Sequence, residues 1–173
     1  MWFYQKNFIR GMMDGSLTTL GVVIAALNNP AILAAVGMGV AVANSVSNAC
    51  GGYVSEKSDR IQRHRKFEKA MLIKKGIATT VHMTKAEIDS LMRGISDSLG
   101  TFLGAMIPLL SVLFLPSPYG IIVGTVVPVV FYIGLGVYLG LISGEHMVIS
   151  ALKTTAFALG TVVLSNMIRV WLG

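Results

Sequence analysis

"GSLTTLGVVIAALNNPAILAAVGMGVAVANSVSNACGGYVS", Gly15 to Ser55, runs for 41 residues without an acidic or basic side chain. A helix of about 20 apolar residues crosses a bilayer, so the run is too long for one span and suits two. Asn28-Asn29-Pro30, near its middle, is a turn signal that divides it. A second uncharged run, Ser98 to Gly144, has 47 residues. It divides at Pro116-Ser117-Pro118, where a helix cannot continue. One more apolar stretch follows from Met147. The spacing predicts five spans, at about 8–27, 31–54, 95–115, 119–142 and 147–172, with Pro128 as a kink inside the fourth. Because the runs are long and do not alternate polar with apolar, helices are expected rather than barrel strands.

Composition agrees with an all-α integral membrane bundle forming a single transmembrane domain over 1–173. The chain is 54% hydrophobic and 13% charged, with a mean hydropathy of +0.71. No soluble domain of this size needs so much apolar surface. The first segment has no small-residue cleavage site after a short apolar core and it carries Asp14, so no signal peptide is expected. A lone cysteine, Cys50, excludes an internal disulfide and a Cys-rich metal knuckle.

Ten of the fourteen Lys and Arg residues lie between 56 and 96. Lys6 and Arg10 precede the first span, and Lys153 lies near the start of the fifth. The positive-inside rule puts the N-terminus and the 56–94 loop in the cytoplasm. Five spans then put the C-terminus outside or in a lumen. Within the loop, Ser55 to Lys75 has few helix breakers and extends span two into the cytosol. "TKAE", Thr84 to Glu87, matches a capping box and predicts a short helix running to Arg93. The loop is thus a short basic helical connection and not an independent domain. Its charge is explained by topology, which leaves no case for nucleic acid, although the same basic residues suit anionic lipid. His64 and His82 have no second His or Cys at ligand spacing and read as solvated. The chain has no Ser-His-Asp order, phosphate loop or HExxH, so nothing points to an enzyme.

Asp14 is the first acidic residue, and the next is Glu56. With span one starting near Phe8, Asp14 lies two turns into it, roughly 9 Å along the axis. Carboxylates inside spans face a bundle interior or a water-filled path, and there they bind cations or relay protons. The alternative is that span one starts later and Asp14 is an interfacial residue favoured by the helix dipole. Asn44, Ser47, Asn48 and Gly51 share one face of span two at i, i+3, i+4 and i+7. Their oxygens suit a hard or borderline divalent ion beside Asp14, or they hydrogen-bond between helices. Met13, next to Asp14, offers a soft thioether ligand. Asp97 and Glu145, at the cytoplasmic ends of spans three and four, either line a cytoplasmic mouth or pair with Arg93 and Lys153. Gly11 and Gly15, with Gly37, Ala41 and Ser45, form small-residue stripes that suit close helix packing or dimerisation. Gly136, Gly140 and Gly144 do the same in span four.

Four segments together resemble the vacuolar iron transporter family: "DGSLTTLGVV" (Asp14–Val23), "SNACGGYVSEKSD" (Ser47–Asp59), "LGTFLGAMIPLL" (Leu99–Leu110) and "GVYLGLISGE" (Gly136–Glu145). The resemblance covers all five spans and implies a homodimer with its ion path between the first and second spans. It implies export of Fe²⁺ or Mn²⁺ from the cytosol by proton antiport, with no prosthetic group. The family's transport aspartate matches Asp14. Its methionine ligand at the end of span two is replaced by Asn48, and a glutamate two turns earlier by Val40. The glutamate-rich cytoplasmic domain of the eukaryotic iron members is absent from the short basic loop. An oxygen-only set of Asp14, Asn44 and Asn48 suits Mn²⁺ better than a soft metal. The competing expectation is a membrane scaffold or regulator of the same fold that has lost its ligand set.

Overall fold

The computed structural model describes residues 2–25, 30–70, 79–115 and 119–172. Among them are five α-helices and no strand: α1 (Trp2–Ala25), α2 (Pro30–Ala70), α3 (Thr79–Phe114), α4 (Tyr119–Ser143) and α5 (Met147–Leu172). Each is long and apolar enough to cross a membrane. Pro30 opens α2, where its missing N–H is one that no helix uses. Pro128 lies inside α4 as expected, and Pro108 lies inside α3. The turns expected at Asn28-Asn29 and Pro116 to Pro118 fall outside the described residues.

Two boundaries differ from expectation. Helix α1 starts at Trp2, six residues before the apolar stretch, because Lys6 and Arg10 sit on its exposed face. Asp14 is therefore mid-helix, roughly 15 Å along the axis from Tyr4, and the reading that places it at a helix N-terminus is lost. Helix α3 is continuous from Thr79, so the capping box at Thr84 starts nothing and lies inside the helix. The expected extension of α2 does form, as far as Ala70. The two extensions are clasped by ion pairs: Lys57 to Glu87 at 2.7 Å, Arg93 to Glu56 at 3.1 Å, and Arg60 to Asp89. Tyr4 of α1 also donates to Asp89. Three of the loop's scattered acids are thereby spent on its own bases.

Helix α3 is the hub, touching α1, α2 and α4. It runs parallel to α1 at backbone contact. A Cβ built on Gly11 would lie 2.1 Å from the Asp97 carbonyl oxygen, and one on Gly15 1.9 Å from that of Thr101. In return, a Cβ on Gly100 would lie 2.1 Å from the Phe8 carbonyl oxygen and one on Gly104 2.2 Å from that of Met12. Glycines on both helices alternate along one seam, and only hydrogen fits at each. Gly37 faces Leu109 of α3, while Ala41 and Ser45 on the same stripe are buried. All five predicted small residues therefore serve packing inside the protomer. Gly136 and Gly140 likewise admit α5. Gly144, at φ +70°, makes the tight turn that joins α4 to α5.

Candidate ion-binding site

Helix α1 presents Lys6, Arg10 and Asp14 on one exposed stripe at i, i+4 spacing. Helix α2 crosses beside it and delivers Asn44 and Asn48, four residues apart and hence on one face. Both amides donate to the same oxygen: Asn44 Nδ2 to Asp14 Oδ2 at 3.0 Å and Asn48 Nδ2 at 2.7 Å. Each amide has a second acceptor. Asn44 donates to Thr18 Oγ1 at 3.2 Å, and Asn48 to Thr101 Oγ1 at 2.7 Å. Thr18 in turn donates to the Asp14 carbonyl at 2.8 Å. The carboxylate is thus held by charge-assisted hydrogen bonds from a neighbouring helix yet remains exposed on its outer side. To coordinate a cation, the two amides would turn over by a half-rotation of χ2 and offer Oδ1 in place of Nδ2.

Asn44 and Asn48 share a face as their spacing predicts, and that face meets Asp14 through hydrogen bonds between helices. Ser47 and Gly51 do not join them; both lie on the exposed side of α2, and a Cβ on Gly51 would meet nothing within 4 Å. The backbone of Met13, rather than its thioether, has the visible task. Its carbonyl accepts from Ser16 Oγ at 3.1 Å and from the Tyr132 hydroxyl of α4. Tyr132 is fully buried and also accepts from Ser16 Oγ at 2.9 Å. This clamp fixes the peptide immediately before Asp14 from the side opposite α2.

Asp97 and Glu145 do not form one mouth. Glu145 is exposed and pairs with Lys153 at 3.3 Å, one of the two alternatives its position allows. Asp97 is 2% exposed and pairs with Arg10 of α1 rather than Arg93. Since α3 begins at Thr79, Asp97 lies well inside the helix, far from its N-terminus. Its environment is made by the glycine seam. Close approach of α1 brings Arg10 to the carboxylate, and a Cβ on Gly52 of α2 would lie 3.4 Å from Asp97 Oδ2.

Three participants escaped the sequence reading: Thr18, Thr101 and Arg10. Thr18 carried a signal, being four residues after Asp14 on its helix. So did Arg10, four residues before. Thr101 had none, because its role depends on α3 lying against both α1 and α2. Among the described residues, no group of three or more His, Cys, Asp or Glu could hold a metal. One chain therefore brings one carboxylate and two amides to this face.

Comparison with known proteins is decisive on family. Residues 5–79 and 61–169 match the VIT family. The chain belongs to the VIT family. It is also 31% identical over 167 residues to an uncharacterized protein of Methanocaldococcus jannaschii, covering 95% of this chain and 87% of that one. VIT-family membership and five apolar helices make this a multi-pass membrane protein of a metal-ion transport family, whose members are transporters and not enzymes. In this VIT-family chain, Asp14 is the carboxylate of α1 that the α2 amides surround.

Proposed function

We propose that the protein is a homodimeric exporter of a divalent cation, Mn²⁺ in preference to Fe²⁺, which it exchanges for protons. The observation that carries this reading is Asp14 itself: a carboxylate in the middle of a spanning helix, open on one side, with two amides at 2.7 and 3.0 Å. A charge on a lipid-facing surface is not tolerated, so that open side must meet water or protein. The adjoining face of α2 carries exposed Val36, Ala43, Ser47 and Val54, small or apolar residues that suit a second copy of the chain. A two-fold axis there would set two Asp14 carboxylates and four amides around one path. The divalent ion takes both carboxylates. Its departure lets protons from the far side neutralise them, which returns the site without an uncompensated charge. The positive-inside rule sets the direction, with the N-terminus and the clasped hairpin in the cytosol. There, exposed Arg63, Arg65 and Lys66 suit anionic headgroups.

A scaffold of the same fold is the second reading, favoured by the way the two amides already satisfy Asp14. Metal-dependent stabilisation separates the two. A cation that binds only the folded state at a hundred times its Kd adds about 2.7 kcal/mol. We expect millimolar Mn²⁺ to raise the melting temperature of the wild type and not that of Asp14→Ala. Equal curves with and without Mn²⁺ in the wild type would favour the scaffold.

Preference among metals follows from ligand softness. All donors at the site are oxygens or amides, which suit Mn²⁺. Asn48→Met places a thioether where an amide now stands and is expected to shift the Fe²⁺-to-Mn²⁺ transport ratio toward Fe²⁺ by about tenfold. Competition flux in proteoliposomes under reducing conditions reads that ratio. An unchanged ratio would place Asn48 outside the coordination sphere.

A further inference from the structure

Arg10 lies within reach of two carboxylates and is bound to only one of them. Its guanidinium donates to both oxygens of Asp97, from Nη2 to Oδ2 and from Nε to Oδ1 at 3.4 Å. Asp97 is enclosed by α1, α2 and α3, with its side chain 3% exposed, while that of Arg10 is 62% exposed on the stripe that carries Asp14. Residues four apart on a helix have Cβ atoms about 6 Å from one another, so the long Arg10 side chain also spans the distance to Asp14. A chain of hydrogen bonds runs from the Asp14 carboxylate to the backbone of Asp97. Asn48 donates to Asp14 and to Thr101, each at 2.7 Å, and Thr101 Oγ1 donates to the Asp97 carbonyl at 2.9 Å.

We propose that Arg10 is a tethered cation that competes with the transported ion for Asp14, and that Asp97 is the positioning residue that holds it away. Paired with Asp97, as in this structure, Arg10 leaves Asp14 open to cargo. Released from Asp97, it turns one helical step and neutralises Asp14, closing the site without a metal. Physical reasons favour this over a merely structural ion pair. A counter-charge needed only for burial would itself be buried, yet Arg10 stands on the open face. Its position is also one turn from Asp14 on the side of the clasped hairpin, so a cation arriving from that end must pass a fixed positive charge. The glycine seam makes the arrangement possible, since Gly11 lets α3 approach until Asp97 lies under Arg10.

This inference rests on the reading of Asp14 as the cation ligand, and the test separates the two. Mn²⁺ titration calorimetry on the full chain in detergent, with folded protein selected by size exclusion, reads the dissociation constant. Asp97→Asn frees Arg10 for Asp14 and is expected to weaken Mn²⁺ binding about tenfold. Arg10→Gln removes a competitor that Asp97 already holds away and is expected to bind Mn²⁺ within about twofold of the wild type. The double variant has no competitor to restrain and should bind as tightly as Arg10→Gln. A structural pair predicts something else: both single variants melt earlier, and the folded fraction of each binds Mn²⁺ like the wild type. If Asp97→Asn yields no folded protein, Asp97→Ser takes its place, and wild-type affinity in that variant overturns the proposal. Asp14→Asn is the control. Binding that survives it removes the underlying site, whereas binding lost there but unmoved by Asp97→Asn removes only the competition.

Discussion

Asp14→Asn is expected to abolish metal transport while leaving the protein folded. The substitution keeps the size and shape of the side chain and removes only its charge. An amide still accepts from Asn44 and Asn48 through its oxygen, so the contact between α1 and α2 survives. Neither cation attraction nor proton exchange survives, because a neutral amide neither balances a divalent ion nor titrates. Removing partners one shell away from a metal lowers affinity about ten- to a hundredfold; loss of the carboxylate that each chain brings to the site should exceed that and bring Mn²⁺ flux to the level of empty vesicles. Proteoliposomes loaded with a metal-sensing dye and given a pH gradient measure it. Wild-type flux through Asp14→Asn would sink the role proposed for this residue.

Gly15→Ala is expected to be the most damaging conservative change in the packing. The added methyl would lie 1.9 Å from the carbonyl oxygen of Thr101 and 2.7 Å from its carbonyl carbon. Both atoms are helix backbone and cannot rotate away, so α1 must lift from α3. Overpacking of this kind costs about 3 kcal/mol or more. The shift also moves Asp14 relative to Asn48, which is tied to Thr101 at 2.7 Å, so Mn²⁺ binding should fall with stability. Gly39→Ala and Gly134→Ala are the matched controls, since a Cβ at either meets nothing within 4 Å. There the better helix propensity of alanine should be neutral or stabilising by up to about 1 kcal/mol. Thermal melting in detergent compares the three. A Gly15→Ala protein that melts with the Gly39→Ala control would show that the α1–α3 seam is not as close as described.

The hairpin joining α2 to α3 shows how far a linear reading reaches. Extension of α2 beyond the membrane span was legible in Ser55 to Lys75, which has few breakers, and the described part of it is helical to Ala70. Continuity of α3 was not. The capping box at Thr84 is a local signal, and the ion pairs of Lys57, Arg60 and Arg93 with acids on the opposite helix are not local. Helical structure there is supported by the neighbouring helix, and a sequence window cannot see across to it. The same limit hid the partner of Asp97. Arg93, four residues away, was the sequence-near candidate, whereas Arg10 is 87 residues away and meets it only because Gly11 and Gly100 let α1 and α3 touch.

By itself the sequence determined that this is a five-helix membrane protein, since two uncharged runs of 41 and 47 residues each hold two spans and one more apolar stretch follows from Met147. It also singled out Asp14, because a carboxylate inside a predicted span needs a reason, and it placed Asn44 and Asn48 on one helix face. Only the tertiary structure decided that those amides turn toward Asp14, and that the small-residue stripes bind helices within one chain. Only it paired Arg10 with Asp97. The physical reason is range. Hydropathy and helical periodicity are properties of neighbours in sequence, while a hydrogen bond or an ion pair between helices depends on backbone separation, which a few glycines on two distant segments settle together.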